Sequence, residues 1–127
     1  MIKGDTVYDK KTDLTWQRCS VGQRWVDGTG CVGEIKLFNY VDSQRQGDAT
    51  WRVPTFDELA TLIDNGRAGR RQPTIDWVAF PNTPALGYWT STPYGPLGWA
   101  TNFDGGRDHS AYFRSDTNAV RLVRGGQ

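Results

Sequence analysis

The chain has 127 residues, enough for one domain with its own core, and a formal charge of +1, which excludes nucleic-acid binding through bulk basicity. No run approaches the roughly 18 apolar residues of a membrane-crossing helix, so no membrane insertion by this segment is expected. Six Trp, five Tyr and five Phe beside 15 Gly and six Pro predict short strands, many turns and aromatic packing rather than long helices.

Met1 to Asp5 lacks the character of a signal peptide, so an exported chain is expected to have lost its leader or to be cut from something longer. Residues 5–16 read as a hairpin, with Val7 and Tyr8 in one strand, a Lys-rich turn, and Leu14 to Trp16 in the other. Cys19 and Cys31 are the only cysteines and lie in a Gly-rich, polar stretch to about Gly33. They are either two reduced thiols or a disulfide. The loop-like setting, where free thiols would be exposed, favours the bond, and the bond an oxidising compartment. The short loop it closes would contribute about 3 kcal/mol.

Asn39 to Arg45 is read as a short helix with Asn39 as its N-cap. Thr55 and Glu58 have capping-box spacing, and Phe56, Leu59, Leu62 and Ile63 recur at helical spacing, with Gly66 as terminator. Arg67 to Pro73 is a basic loop, and Ile75 to Pro84 an irregular apolar stretch with Trp77 and Phe80 expected inside. Gly87 to Thr92 reads as a strand and Pro93 to Gly98 as a loop. Trp99, Thr101 and Phe103 alternate with Ala100, Asn102 and Asp104. Asp104-Gly105-Gly106 marks a hairpin, Arg107 to Arg114 its return strand, and Ala119 to Arg124 a last strand.

Five phrases stand in a telling order: Val7…Asp9…Thr12-Asp13-Leu14-Thr15-Trp16, Trp51-Arg52-Val53-Pro54-Thr55…Glu58-Leu59, Tyr88-Trp89-Thr90-Ser91-Thr92, Phe103-Asp104-Gly105-Gly106 and Val120-Arg121-Leu122-Val123-Arg124. Across nearly the whole chain this resembles the Lcl C-terminal-domain family of bacterial surface and secreted proteins. The resemblance implies an α+β, C-type-lectin-like fold for residues 1–127 as a single domain: small antiparallel sheets, two short helices and long loops. It also implies distant kinship with the formylglycine-generating-enzyme domain. Relatives usually carry Gly where Asp13 stands, and often Cys where Leu122 stands, paired with a Cys in the first helix that residues 39–46 lack. The name-giving adhesin is associated with sulfated glycosaminoglycans.

Two binding surfaces are candidates. Arg67, Arg70 and Arg71 form a patch suited to sulfate or carboxylate groups, because the guanidinium fork is planar and bidentate. The plain alternative is a solvated loop. Around the last hairpin, Trp99, Asn102, Asp104, Arg107, His109, Tyr112 and Arg114 gather polar and amphipathic groups, with an ordinary polar hairpin as the alternative. Trp16, Trp51, Trp77 and Trp89 are read as core. Arg52, Arg121 and Arg124 are read as partners of buried carboxylates such as Asp57 or Glu58.

No cofactor is expected. Phe80-Pro81-Asn82 lacks the acidic residue before proline that calcium-chelating lectins carry, which leaves a structural calcium only as the minor alternative. Catalysis is not expected, since no cysteine follows Cys31 and His109 is the single histidine. The expectation is an extracytoplasmic binding or adhesion module, extracellular, on the cell surface or periplasmic. Its partner would be an anionic or sulfated glycan or a surface protein. The alternative is a protein-binding subunit of a surface fibre, pilus-like or phage-tail-like assembly, where oligomers form.

Overall fold

A computed structural model describes residues 1–64, 74–104 and 108–126. Its elements are β1 (Ile2–Lys3), β2 (Thr6–Asp9), β3 (Leu14–Gln17), β4 (Arg24–Val26), β5 (Gly30–Val32), α1 (Tyr40–Ser43), α2 (Phe56–Ala60), β6 (Gly87–Tyr94), β7 (Leu97–Asn102), β8 (His109–Phe113) and β9 (Val123–Gly125). The strands form antiparallel sheets in the orders β1-β2-β3-β9, β4-β5 and β6-β7-β8. The architecture is α+β, and the first and last strands share one sheet.

The first hairpin forms where it was expected. Asp9 organises its turn by accepting from the Lys11 N–H and the Thr12 hydroxyl, each at 2.9 Å. Asp13 then takes φ of 61°, the left-handed region that glycine adopts freely and an aspartate tolerates. Residues 19–31 are more ordered than a plain loop: the disulfide is present, and β4 and β5 pair inside it.

Both helices have the caps expected of them. The Asn39 side chain accepts from the Asp42 N–H, and Thr55 and Glu58 complete a capping box. The second helix is shorter than its apolar periodicity implied, ending at Ala60 instead of running towards Gly66. The Thr61 hydroxyl and N–H both donate to the Glu58 carbonyl, and Leu62 and Ile63 donate three residues back, so tighter turns replace the ladder.

Three further expectations are corrected. Trp77 is 45 % exposed, because the turn at residues 76–80 buries Ala79 and Phe80 instead. Residues 93–98 are not a loop: β6 runs through Pro93 to Tyr94, and Gly95-Pro96 alone makes the turn, with Gly95 at φ of 56°. Residues 119–122 are buried yet do not extend β9. Their backbone is divided among several neighbours: Trp89 donates to Ala119, Val21 to Val120 and Gln17 to Leu122.

The core has two parts. Leu14, Trp16, Leu59, Phe80, Tyr88, Phe103 and Val123 fill one, between the four-stranded sheet and β6–β7. Tyr40, Val53, Trp89, Ala100, Val120 and Leu122 fill the other, beneath α1. Arg52 pairs with Glu58 through two hydrogen bonds of 2.6 and 2.8 Å, as expected. Among the described residues Arg121 pairs with no carboxylate. It is 1 % exposed, donates to the Gln17 and Arg18 carbonyls and the Thr83 hydroxyl, and lies over the Phe80 and Tyr88 rings. Arg124 likewise stacks on Trp51, 4.6 Å from the ring centroid.

Candidate functional site

The β6-β7-β8 sheet has two unlike faces. Directly opposed residues share a face, and the register pairs Tyr94 with Leu97, Leu97 with Phe113, Trp99 with Ala111 and Thr101 with His109. These seven positions include no Lys, Arg, Asp or Glu, and one of them, Thr101, is fully buried, as is Tyr88 opposite it. Antiparallel sheets with one wet face ordinarily put polar residues there. Here Phe113 is 70 % and Tyr94 53 % exposed, while Leu97, Trp99 and Ala111 are half-buried.

Aromatic contacts run along this face. Tyr94 lies 4.8 Å from Trp99, Trp99 5.3 Å from Phe56 and Phe56 4.4 Å from His109, centroid to centroid. Phe56 arrives from α2, whose first N–H is fixed by the Thr92 hydroxyl on β6 at 2.9 Å. The capping box and the Arg52–Glu58 pair therefore place Phe56 between Trp99 and His109 in the row. Burial lowers the His109 pKa, partly offset by Asp108, and its Nδ1 lies 3.2 Å from the Thr101 hydroxyl.

The opposite face uses its polar groups internally. Asn102, 5 % exposed, donates to the Ser110 hydroxyl at 3.0 Å and accepts from the Tyr112 hydroxyl at 2.8 Å. The Tyr112 ring meets Trp89 at 6.0 Å. Arg114 lies over Tyr40 and donates to the Gly95 carbonyl at 3.0 Å, bracing the β6–β7 turn. Of the hairpin residues singled out in the sequence, Trp99 and His109 thus lie on the outward face. Asn102 and Tyr112 look inward, and Asp104 is exposed beyond the end of β7. Arg67, Arg70, Arg71 and Arg107 lie outside the described residues.

Phe56, Tyr94, Leu97, Ala111 and Phe113 were not singled out. Extending the Trp99–Thr101 alternation through the turn and into the return strand would have found most of them.

Asn82 has φ of 62° and its side-chain oxygen accepts from the Cys31 N–H at 3.0 Å, so this residue of the Phe80-Pro81-Asn82 triplet secures the disulfide hairpin. Among the described residues, no three of His, Cys, Asp and Glu converge as metal ligands would. A separate open groove of about 370 Å³ is lined by Gln44, Arg45, Asp48, Trp51 and Arg52, among others.

Comparison with family models gives a match to the Lcl C-terminal domain over residues 5–124. The chain belongs to that family. No curated protein and no solved structure gives a significant match. In this Lcl C-terminal domain, Leu122 packs in the same buried cluster as Tyr40 of α1.

Proposed function

We propose that this Lcl C-terminal domain is an extracytoplasmic binding module that docks a surface protein through the outward face of β6-β7-β8. The observation that carries this reading is the absence of charge from the seven positions of one sheet face, six of them at least partly exposed, which hold the two most exposed rings of the sheet, Tyr94 and Phe113. Contiguous exposed apolar surface marks interaction sites, and aromatic residues are the usual anchors of protein interfaces. The Cys19–Cys31 disulfide is compatible with an extracellular or periplasmic setting. The pairing of β3 with β9 supports the C-type-lectin-like architecture that the resemblance implies. Binding, not catalysis, suits a face whose one imidazole spends its contacts on Phe56 and Thr101.

The test is binding of the labelled domain to intact cells before and after protease treatment, with Tyr94→Ser/Phe113→Ser beside the wild type. Loss of binding after proteolysis and in the double variant is expected. Undiminished binding by a folded double variant would remove this face from the function.

A glycan ligand is the second reading, favoured by the Trp51 groove, where an indole stands among amide, carboxylate and guanidinium groups. For an anionic chain such as a sulfated polysaccharide, the Arg67, Arg70 and Arg71 loop is the expected contact. Salt-sensitive binding that weakens when these three become Ala supports that reading, and unchanged affinity sinks it.

A further inference from the structure

The strand edges of this fold are unequally protected. A free edge presents unpaired N–H and C=O groups, and folds ordinarily shorten it, charge it or cover it. β1 is two residues long and carries Lys3, and β4 and β5 are three residues each. β9 is bridged by Arg52, which exchanges both backbone hydrogen bonds with Val123 at 2.9 Å. The outer edge of β6 is covered as well: Ser91 donates to the Pro54 carbonyl, Trp89 to that of Ala119, and Ala119 to that of Gly87. β8, the other end of the order β6-β7-β8, has none of these devices among the described residues. His109–Phe113 holds no Lys, Arg, Asp, Glu, Pro or Gly, and its register with β7 runs without a bulge.

Hydrogen-bond parity fixes which groups of β8 face away from the sheet. In an antiparallel pair, alternate residues aim both backbone groups at the neighbouring strand or both away from it. The Asn102 N–H donates to the Asp108 carbonyl at 2.7 Å, so positions 108, 110 and 112 face β7, while His109, Ala111 and Phe113 face away. Asp116 already holds Phe113: its carboxylate accepts from the Phe113 N–H and its N–H donates to the Phe113 carbonyl, each at 2.9 Å. The N–H and C=O groups of His109 and Ala111 have no partner among the described residues, and every residue of the strand is at least partly exposed.

We infer that β8 pairs with β8 of a second copy of this chain, antiparallel about a two-fold axis at Ser110, joining two three-stranded sheets into one. In this register His109 stands opposite the partner's Ala111 and Ala111 opposite the partner's His109, so every free backbone group of the edge finds its complement. Centring the pair on Ala111 instead would need the Phe113 groups opposite His109, and the Asp116 turn has taken those. The occupant is a second copy because β8 is, among the described residues, the one long uncovered edge the molecule offers. Two-fold pairing uses it on both sides, so the assembly closes as a dimer. No like charges meet: serine faces serine at the axis, where opposed side chains come closest, and alanine lies beside the imidazole. The axis runs perpendicular to the sheet, so the two uncharged faces lie side by side on one surface. The pairing itself does not depend on what that surface binds.

Sedimentation equilibrium of the whole chain over about a hundredfold range of concentration tests this, and a reversible monomer–dimer equilibrium is expected. Ala111→Pro removes an N–H that faces away from β7, so the ladder within the sheet is kept. It deletes two hydrogen bonds per dimer and should weaken dimerisation about tenfold or more. Ser110→Cys reads the register independently of that variant. Opposed Cα atoms at such a position are about 4.5 Å apart, within reach of a disulfide, so a glutathione redox buffer should yield a covalent dimer. Val41→Cys, exposed on α1, should give none in the same buffer. A chain that stays monomeric, an oligomer of another order, an undiminished dimer in a folded Ala111→Pro variant, or no cross-link through Ser110→Cys overturns the proposal. A monomer whose binding to cells is lost in Ala111→Pro also overturns it, and gives the edge to a strand of another protein.

Discussion

The inner and outer faces of the β6-β7-β8 sheet come from the same three strands, yet one resembles a domain core and the other a partner's seat. On the inner face Trp89 and Ala100 are fully buried, and the polar atoms of Asn102, Ser110 and Tyr112 satisfy one another. On the outer face the rings are as large, but Tyr94 and Phe113 are more than half exposed, Trp99 is half-buried, and nothing charged stands among them. Apolar content alone therefore does not separate core from interface. What separates them is whether the rest of the fold covers the side chains. Removing a side chain should accordingly cost stability on one face and recognition on the other.

The largest loss of stability is expected for Trp89→Ala. This indole packs edge-on against Tyr40 and Tyr112 and donates to the Phe38 carbonyl at 2.6 Å, tying α1 to the sheet. Truncation leaves a cavity and an orphaned acceptor, at about 3–5 kcal/mol by chemical denaturation. A smaller effect belongs to Tyr112→Phe, which keeps the ring on Trp89 but strips the Asn102 side-chain oxygen of its 2.8 Å donor. The expected cost is about 1–3 kcal/mol. A neutral result would mean that the inner face tolerates loss of its polar pairing, and the contrast between the faces would narrow.

The two faces meet at α2, which carries Phe56 to the outer row. Burial pushes the Glu58 carboxyl up, but hydrogen bonds from Arg52 and Thr55 outweigh it, leaving the pKa below the ordinary glutamate value. A depressed carboxyl contributes stability that is present above the unfolded-state pKa and lost as pH falls through the folded one. Stability should therefore decline below the ordinary glutamate range, and Glu58→Gln should flatten that part of the acid limb. At neutral pH the same substitution should cost about 1 kcal/mol. A parallel acid limb in wild type and variant would show that the pair does not anchor α2.

The sequence made much of this legible, for identifiable reasons. Caps were readable at Asn39, Thr55 and Glu58 because they are set by residues three apart in the chain. The early hairpin followed from alternation around a Lys-rich turn. The fate of Arg121 was not readable: its acceptors are backbone carbonyls at 17 and 18 and a hydroxyl at 83, positions that carry no charge pattern to search for. Trp77 shows the converse, since composition places a tryptophan inside and only the turn geometry at residues 76–80 sends it out. For the candidate site, polarity pointed to Asn102 and Tyr112, which the pleat turns inward. The outward partners Phe113 and Ala111 follow from period two once the register with β7 is known.

The smallest expected effect is on the exposed face itself. Phe113 is 70 % exposed, and its backbone is held by Asp116 in the following turn, whatever side chain it carries. Phe113→Ser should leave stability within about 0.5 kcal/mol of the wild type, as for ordinary surface positions. Serine gives up β-propensity at a strand end, which opposes any gain from removing exposed apolar area, so the two terms nearly cancel. Denaturation midpoints that coincide, together with weakened partner binding, would assign the ring to recognition. A loss above about 2 kcal/mol, the scale of a core truncation, would mean that Phe113 is packed against the fold after all. The outer face would then be a second core surface, and the distinction between the two sides of the sheet would fail at the residue that defines it most sharply.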